Sequence, residues 1–113
     1  MKLTERIRDD IAVVYPEGNL DIHAVLVLEE IFNIAMEDNP GCNILVDLHD
    51  AGHISSSCLR ILVAVHTALE KKGLKLVLFD PNTINRKVLD LTEISNFIKV
   101  CDTLEQAIGS VKQ

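Results

Sequence analysis

The chain has 113 residues, the common size of a single domain with one hydrophobic core, and its 48% hydrophobic content argues against disorder. A net charge of −6 and the absence of tryptophan argue against a nucleic-acid partner or a base-stacking platform. No apolar run approaches the roughly 20 residues of a membrane span, and the N-terminus lacks the apolar region of a signal peptide, so we expect a cytoplasmic protein without a membrane partner.

The first predicted elements are a hairpin and a helix. Residues 3–8 alternate weakly, and the apolar run Ile11–Pro16 follows the turn signal Asp9-Asp10. Asp21 is a good N-cap for a helix that runs to about Asp38. The inner stripe predicted for this helix is Leu28, Ile31, Phe32 and Ala35.

Strands and helices then alternate to the end of the chain. In order, we predict a strand over Asn43–Leu48, a helix from Leu59 ended by Gly73, a strand over Leu74–Phe79, a short helix over about Thr83–Leu91, an edge strand over Phe97–Val100, and a last helix capped by Asp102 or Thr103. This order predicts one α/β domain over residues 1–113 with a mixed sheet. Right-handed crossovers would bring the Gly18–Asp21 and Asp50–Ser57 loops to the same edge.

The most informative segment is the junction between a strand and the second helix. The buried strand leads to three consecutive hydroxyls, Ser55, Ser56 and Ser57, directly before the helical spacing begins. A helix start offers unpaired N–H groups and the positive end of the helix dipole, so a phosphate there would find donors. The pattern therefore predicts a hydroxyl switch, with a simple N-cap cluster as the alternative.

Two other chemistries remain open at the same edge. His23, His49 and His53, with Cys58 near them, could bind a metal, although their spacing matches no zinc-finger or HExxH pattern. The three cysteines lack CxxC spacing, which predicts reduced thiols, and for Cys58 we favour a packing role over redox sensing.

A hydrolytic site is the second of these chemistries. Ser57, His53 and Asp50 are the residue types of a catalytic triad, but no Gly-x-Ser-x-Gly elbow surrounds the serine. We therefore predict no enzyme activity, no cofactor and no metal. Asp47 is unusual in an apolar strand, and we expect it to order the loop that follows.

Four stretches of the chain resemble the STAS family, the sulfate-transporter and anti-sigma-factor-antagonist domains. They are Gly18–Asp21, Val46–Leu48, Ile54–Leu59, and Arg86–Thr92 followed by Phe97–Val100. Their order is similar to that of the short stand-alone bacterial antagonists, and the likeness covers nearly the whole chain. The resemblance implies a mixed sheet with helices mainly on one face.

The resemblance also implies a function. In that family the second serine of the signature is phosphorylated by a partner kinase, which is itself an anti-sigma factor, and a serine phosphatase reverses the modification. The unphosphorylated antagonist binds the kinase and releases the sigma factor. By position, the phosphoacceptor here is Ser57, with Ser56 as the second candidate. The implied partner-binding residues are Asp21, Ser55, Ser56, Ser57, Cys58 and Arg60.

Two positions depart from the family signature. Ser55 stands where the family has aspartate, and Cys58 stands where it has glycine. Serine caps a helix about as well as aspartate, so the fold should tolerate the first change, which removes a carboxylate beside the acceptor. A scaffold that binds without being phosphorylated is therefore the main alternative, ahead of a small metal-binding or hydrolytic protein. The sequence leaves the oligomeric state open.

Overall fold

A computed structural model describes residues 3–112 of the chain. The strands are β1 (Thr4–Arg8), β2 (Ile11–Val14), β3 (Gly18–Leu20), β4 (Asn43–Asp47), β5 (Ala51–Ile54), β6 (Leu76–Phe79) and β7 (Lys99–Cys101). The helices are α1 (Val25–Asp38), α2 (Ser56–Glu70), α3 (Thr83–Leu91) and α4 (Leu104–Val111), with 3₁₀ turns at Ile22–Ala24 and Ile94–Asn96. Within the described residues, no helix combines the length and apolar character needed to cross a membrane.

The main sheet has five strands in the order β1-β2-β4-β6-β7. β1 pairs with β2 in the antiparallel sense, and the other neighbours are parallel, so the predicted hairpin and mixed sheet are confirmed. The parallel strands all end at the same edge of the sheet, and the loops that follow them meet there. A second, two-stranded parallel sheet of β3 and β5 lies apart from the main sheet.

Each face of the sheet has its own apolar core, because successive side chains of a strand point to opposite faces. Ala12 and Val14 of β2 face a large core with α1, α2 and α3, in which Phe32 and Leu62 are almost fully buried. Ile11 and Val13 of the same strand face a smaller core with α4. The predicted α/β fold with helices mainly on one face is confirmed. The inner stripe predicted for α1 is buried as expected.

Several predicted boundaries change in the structure. The second helix begins at Ser56 rather than near Leu59, so two of the serines lie inside its first turn. Asp21 precedes the 3₁₀ turn, and α1 itself starts only at Val25. The last strand begins at Lys99 rather than Phe97, which is half exposed.

The end of α2 and the start of α4 follow the predicted chemistry. Gly73 has a φ of +74°, and the Leu74 N–H donates to the Leu69 carbonyl at 2.9 Å, which is the Schellman arrangement. Thr103 caps α4 and forms a capping box with Gln106. Of the two caps predicted for this helix, the structure therefore selects Thr103.

Candidate functional site

The serine segment lies where β3 and β5 run side by side into the start of α2. The Gly18 N–H donates to the Asp50 carbonyl at 3.0 Å, and the Ser55 N–H donates to the Leu20 carbonyl at 2.8 Å. The two loops predicted to share an edge therefore do so, and they form a short parallel sheet that was not predicted. This pairing fixes the direction in which the chain enters α2.

The three serines occupy different positions at the start of the helix. Ser55 is the N-cap, and its Oγ accepts a hydrogen bond from the Cys58 N–H at 3.3 Å. Ser56 and Ser57 lie in the first turn, where backbone N–H groups have no acceptor within the helix. Ser56 is exposed and Ser57 is half-buried. The capping alternative thus applies to Ser55, while the other two hydroxyls are not needed as caps.

Cys58 connects the serine segment to the loop that carries Asp21. Its side chain is fully buried, and Sγ donates to the Asp21 carbonyl at 3.4 Å. The predicted packing role of Cys58 is confirmed by this contact. All three cysteines, Cys42, Cys58 and Cys101, are free and buried, as reduced thiols would be.

Asp21 and Asp47 are both used to order the backbone that follows them. Asp21 Oδ1 accepts from the His23 N–H at 2.9 Å, so Asp21 is a structural cap as predicted, but of the 3₁₀ turn rather than of α1. Asp47 Oδ1 accepts from the His49 N–H at 2.9 Å, which confirms its predicted role in the loop after β4. Both carboxylates thereby stiffen loops beside the serines.

Within the described part of the chain, the histidines of this edge are not grouped as a metal site or hydrogen-bonded as a catalytic triad. Within residues 3–112 the structure contains no group of three or more metal-binding side chains. His49 Nδ1 lies 2.8 Å from Asp80 Oδ2, and this hydrogen bond raises the pKa of the exposed imidazole. Among the described residues, no hydrogen bond joins the side chains of Ser57, His53 and Asp50.

The side-chain amide of Asn19 on β3 occupies the space that a side chain at position 52 of β5 would enter. Asn19 Oδ1 accepts from the His53 N–H at 3.2 Å. A Cβ at Gly52 would overlap that same Oδ1 and lie 3.2 Å from Asn19 Cγ. Gly52 therefore allows the close approach of the two strands.

The side-chain amides of Asn82 and Asn85, at the start of α3, hold β5 from its other side. The sequence pattern did not predict this role for either residue. Asn82 is the N-cap of α3, with its Oδ1 accepting from the Asn85 N–H at 2.8 Å. Asn85 is fully buried, and its Nδ2 donates to the Gly52 carbonyl at 2.6 Å. The Asn-x-x-Asn spacing after Pro81 signals a helix cap, but nothing in the sequence signals that the second asparagine is buried against β5.

Exposed apolar side chains lie on the 3₁₀ turn that packs beside the serine segment and in the first turn of α1. Ile22 and Leu26 are 69% and 76% exposed, and they are one helical turn apart. The 3₁₀ turn that carries Ile22 contacts α2. With Asp21, the serines and the exposed Arg60, these residues form what we call the serine surface. A surface that exposes apolar side chains beside polar ones is typical of a protein-binding site.

The arrangement as a whole is a single α/β domain whose candidate functional feature is the serine-bearing start of α2. The chain belongs to the STAS domain family, whose model matches residues 2–107. The resemblance read from the sequence is thereby confirmed.

Known proteins with similar sequences or folds span almost the whole chain. A protein of Thermotoga maritima named "Putative anti-sigma factor antagonist" is 29% identical over 110 residues, or 96% of each chain. The crystal structure of a protein described in the same words, also from that organism, has a TM-score of 0.86 at 24% identity, over 96% of this chain and 92% of that one.

The fold is also similar to that of the anti-sigma factor antagonist SpoIIAA in its unphosphorylated form, with a TM-score of 0.72 at 23% identity over 96% of each chain. The phosphorylated form of SpoIIAA, described as a Bacillus cell fate determinant, has a TM-score of 0.70 at 22% identity, again over 96% of each chain.

Proposed function

We propose that this protein is an anti-sigma factor antagonist-like switch. It binds a serine-kinase anti-sigma factor through the serine surface, and phosphorylation of Ser57 releases that partner. Ser56 is the second candidate for the phosphoacceptor. A serine phosphatase restores the binding form, and the exchange takes place in the cytoplasm. The protein itself acts by binding and not by catalysis.

The position of Ser57 in the first turn of α2 is the observation that carries this proposal. A phosphoryl group adds about −1.5 to −2 charges at neutral pH. At a helix start this charge meets free N–H groups and the positive end of the dipole of a 15-residue helix, so the fold should tolerate it. Its main effect should therefore fall on the partner.

The surroundings of Ser57 explain how that effect would arise. Ile22 on the neighbouring 3₁₀ turn and Leu26 at the start of α1 are exposed, so a partner would bury apolar area beside the serine. A phosphate in such an interface must lose water, and this desolvation opposes binding. A partner carboxylate near Ser57 would add repulsion. Both effects act only when the hydroxyl is modified.

The relatives support the proposal from a second direction. Proteins of this fold are described as anti-sigma factor antagonists, and SpoIIAA is described in both phosphorylated and unphosphorylated forms. Ser57 is the residue that matches the second serine of the family signature. Ser55 and Cys58, which depart from that signature, favour the alternative of a scaffold that binds constitutively.

Phosphate mapping in the native cells is the first test. The protein is isolated with phosphatases inhibited, and the tryptic peptide that ends at Arg60 is sequenced by mass spectrometry. Phosphate on Ser57 supports the switch, and phosphate on Ser55 or Ser56 contradicts the assignment of the acceptor. No phosphate under several growth and stress conditions favours the scaffold.

Binding by matched variants is the second test. Ser57→Ala should retain the kinase partner persistently, whereas Ser57→Asp should bind it weakly. Ser56→Ala and Ser56→Asp are the controls, since they make the same changes one position earlier in the same helical turn. Equal binding by Ser57→Ala and Ser57→Asp would contradict the switch.

A further inference from the structure

The strand β5 has two edges, and within residues 3–112 only one of them pairs with another strand. β3 pairs with it over Gly18↔Ala51 and Leu20↔Ile54. Two-stranded ribbons are marginal in water by themselves. Since β5 leads directly into Ser55, whatever holds its second edge also holds the start of α2.

The second edge of β5 is occupied by side-chain amides of α3. Asn85 Nδ2 donates to the Gly52 carbonyl at 2.6 Å, and Asn85 Oδ1 accepts from the Ile54 N–H at 3.3 Å. Asn82 Nδ2 adds a bond to the Ala51 carbonyl at 3.4 Å. A side-chain amide offers a donor and an acceptor as a peptide group does, so Asn85 takes the place of a neighbouring strand.

Burial gives this contact its strength. Asn85 is fully buried, so losing its amide would leave the Gly52 carbonyl and the Ile54 N–H without the partner they have here. A buried polar group deprived of its partner bears the full cost of desolvation. The backbone of β5 would then move until water reached these groups, and Ser55, the next residue, would move with it.

We propose that Asn85 is a positioning residue for the switch: it fixes, from α3, the orientation in which Ser56 and Ser57 are presented to the partner. The inference rests on the function proposed above, because it explains what holds the serine surface in its orientation. Among the described residues no hydrogen bond joins the Asn85 side chain to a serine side chain, so its effect on the serines passes through the backbone of β5.

Amide hydrogen exchange on the isolated protein tests the structural half of the inference. Asn85→Leu keeps a similar branched shape and removes the side-chain hydrogen bonds to β5, while Asn85→Ala removes the same bonds and leaves a polar space that water can enter. Lys87→Ala is the control, because Lys87 is exposed on the same helix.

We expect the Asn85→Leu variant to exchange its amides at residues 52–58 at least about tenfold faster than the wild type, because two backbone groups of β5 lose their buried partner. Asn85→Ala should give a smaller effect, since water can replace the amide, and Lys87→Ala should give none. Unchanged exchange at these residues, or equal acceleration throughout the chain, would overturn the inference. If Asn85→Leu does not fold, Asn85→Ala decides between the same outcomes.

Phosphate occupancy in native cells tests the functional half. At matched protein levels, Asn85→Ala should carry several-fold less phosphate on Ser57 than the wild type and than Lys87→Ala. Equal occupancy would contradict the positioning role. A wild type without phosphate would instead refute the proposed function, and the exchange experiment would still decide whether Asn85 holds β5.

Discussion

Replacing Gly52 by alanine should destabilise the protein, and the cause should be Asn19 rather than the backbone of Gly52 itself. The φ of Gly52 lies outside the left-handed region, so an alanine can adopt its conformation. The new Cβ would overlap Asn19 Oδ1 and force that side chain away. The displaced amide would then lose the hydrogen bond that it accepts from the His53 N–H, which is 3.2 Å long in the structure.

The expected magnitude follows from two contributions, because Asn19 is exposed and its displaced side chain can turn into solvent at little cost. The lost hydrogen bond costs about 0.5–1.5 kcal/mol. Alanine offsets part of this by about 0.4–1 kcal/mol, because it restricts the unfolded chain more than glycine does. The free energy of unfolding should therefore fall by at most about 1 kcal/mol.

A double-mutant cycle in urea denaturation measures this coupling. The cycle compares the wild type with Gly52→Ala, Asn19→Ala and the double variant. In the Asn19→Ala background the overlap and the hydrogen bond are already gone, so Gly52→Ala should be neutral or stabilising by up to about 1 kcal/mol. A loss of the same size in both backgrounds would refute the reasoning.

Three smaller predictions concern the helix cap and two titrating groups. Ser55→Ala should lower the free energy of unfolding, measured in urea, by about 1 kcal/mol, since it removes the N-cap of α2. Ser56→Ala, at the exposed neighbouring position, should leave the free energy of unfolding nearly unchanged. Equal losses in the two variants would contradict the capping role of Ser55. Asp80→Asn should return the raised pKa of His49 towards its ordinary value in an NMR titration, and an unchanged pKa would exclude their hydrogen bond as its cause. Burial raises the pKa of Tyr15 to about 12, so an ultraviolet titration should show that this phenol ionises at a higher pH than a free tyrosine. The stability that the raised pKa contributes should be lost as the pH rises from about 10 to about 12. Ionisation of Tyr15 near the ordinary pKa would contradict this prediction.

The elements that sequence patterns identified correctly are those whose own residues decide their burial. The apolar stripe of α1 and the apolar runs of β2, β4 and β6 can be buried only as helix faces or central strands. Thr103 and Gly73 mark helix ends because caps depend on residues within a few positions. The order of the signature blocks was enough to identify the family.

The support of the serine segment was missed because its contacts are distant in sequence. β5 is four residues long and contains a glycine and a histidine, so its pattern gives no strand signal. Its partner β3 has only three residues. Asn85 lies 33 positions from Gly52, and no periodicity connects an asparagine in one element to a backbone carbonyl in another.

The sequence by itself determined which residues form the core, where most helices end, the family, and the serines most suited to a switch. Hydrophobic periodicity and local capping are sufficient for these, since each depends on neighbouring residues. Only the tertiary structure decided that α2 begins at Ser56, that β3 pairs with β5, and that Asn19 and Asn85 hold the strand between them. These features depend on hydrogen bonds between side chains and backbone groups that come together only when the sheet and α3 are packed.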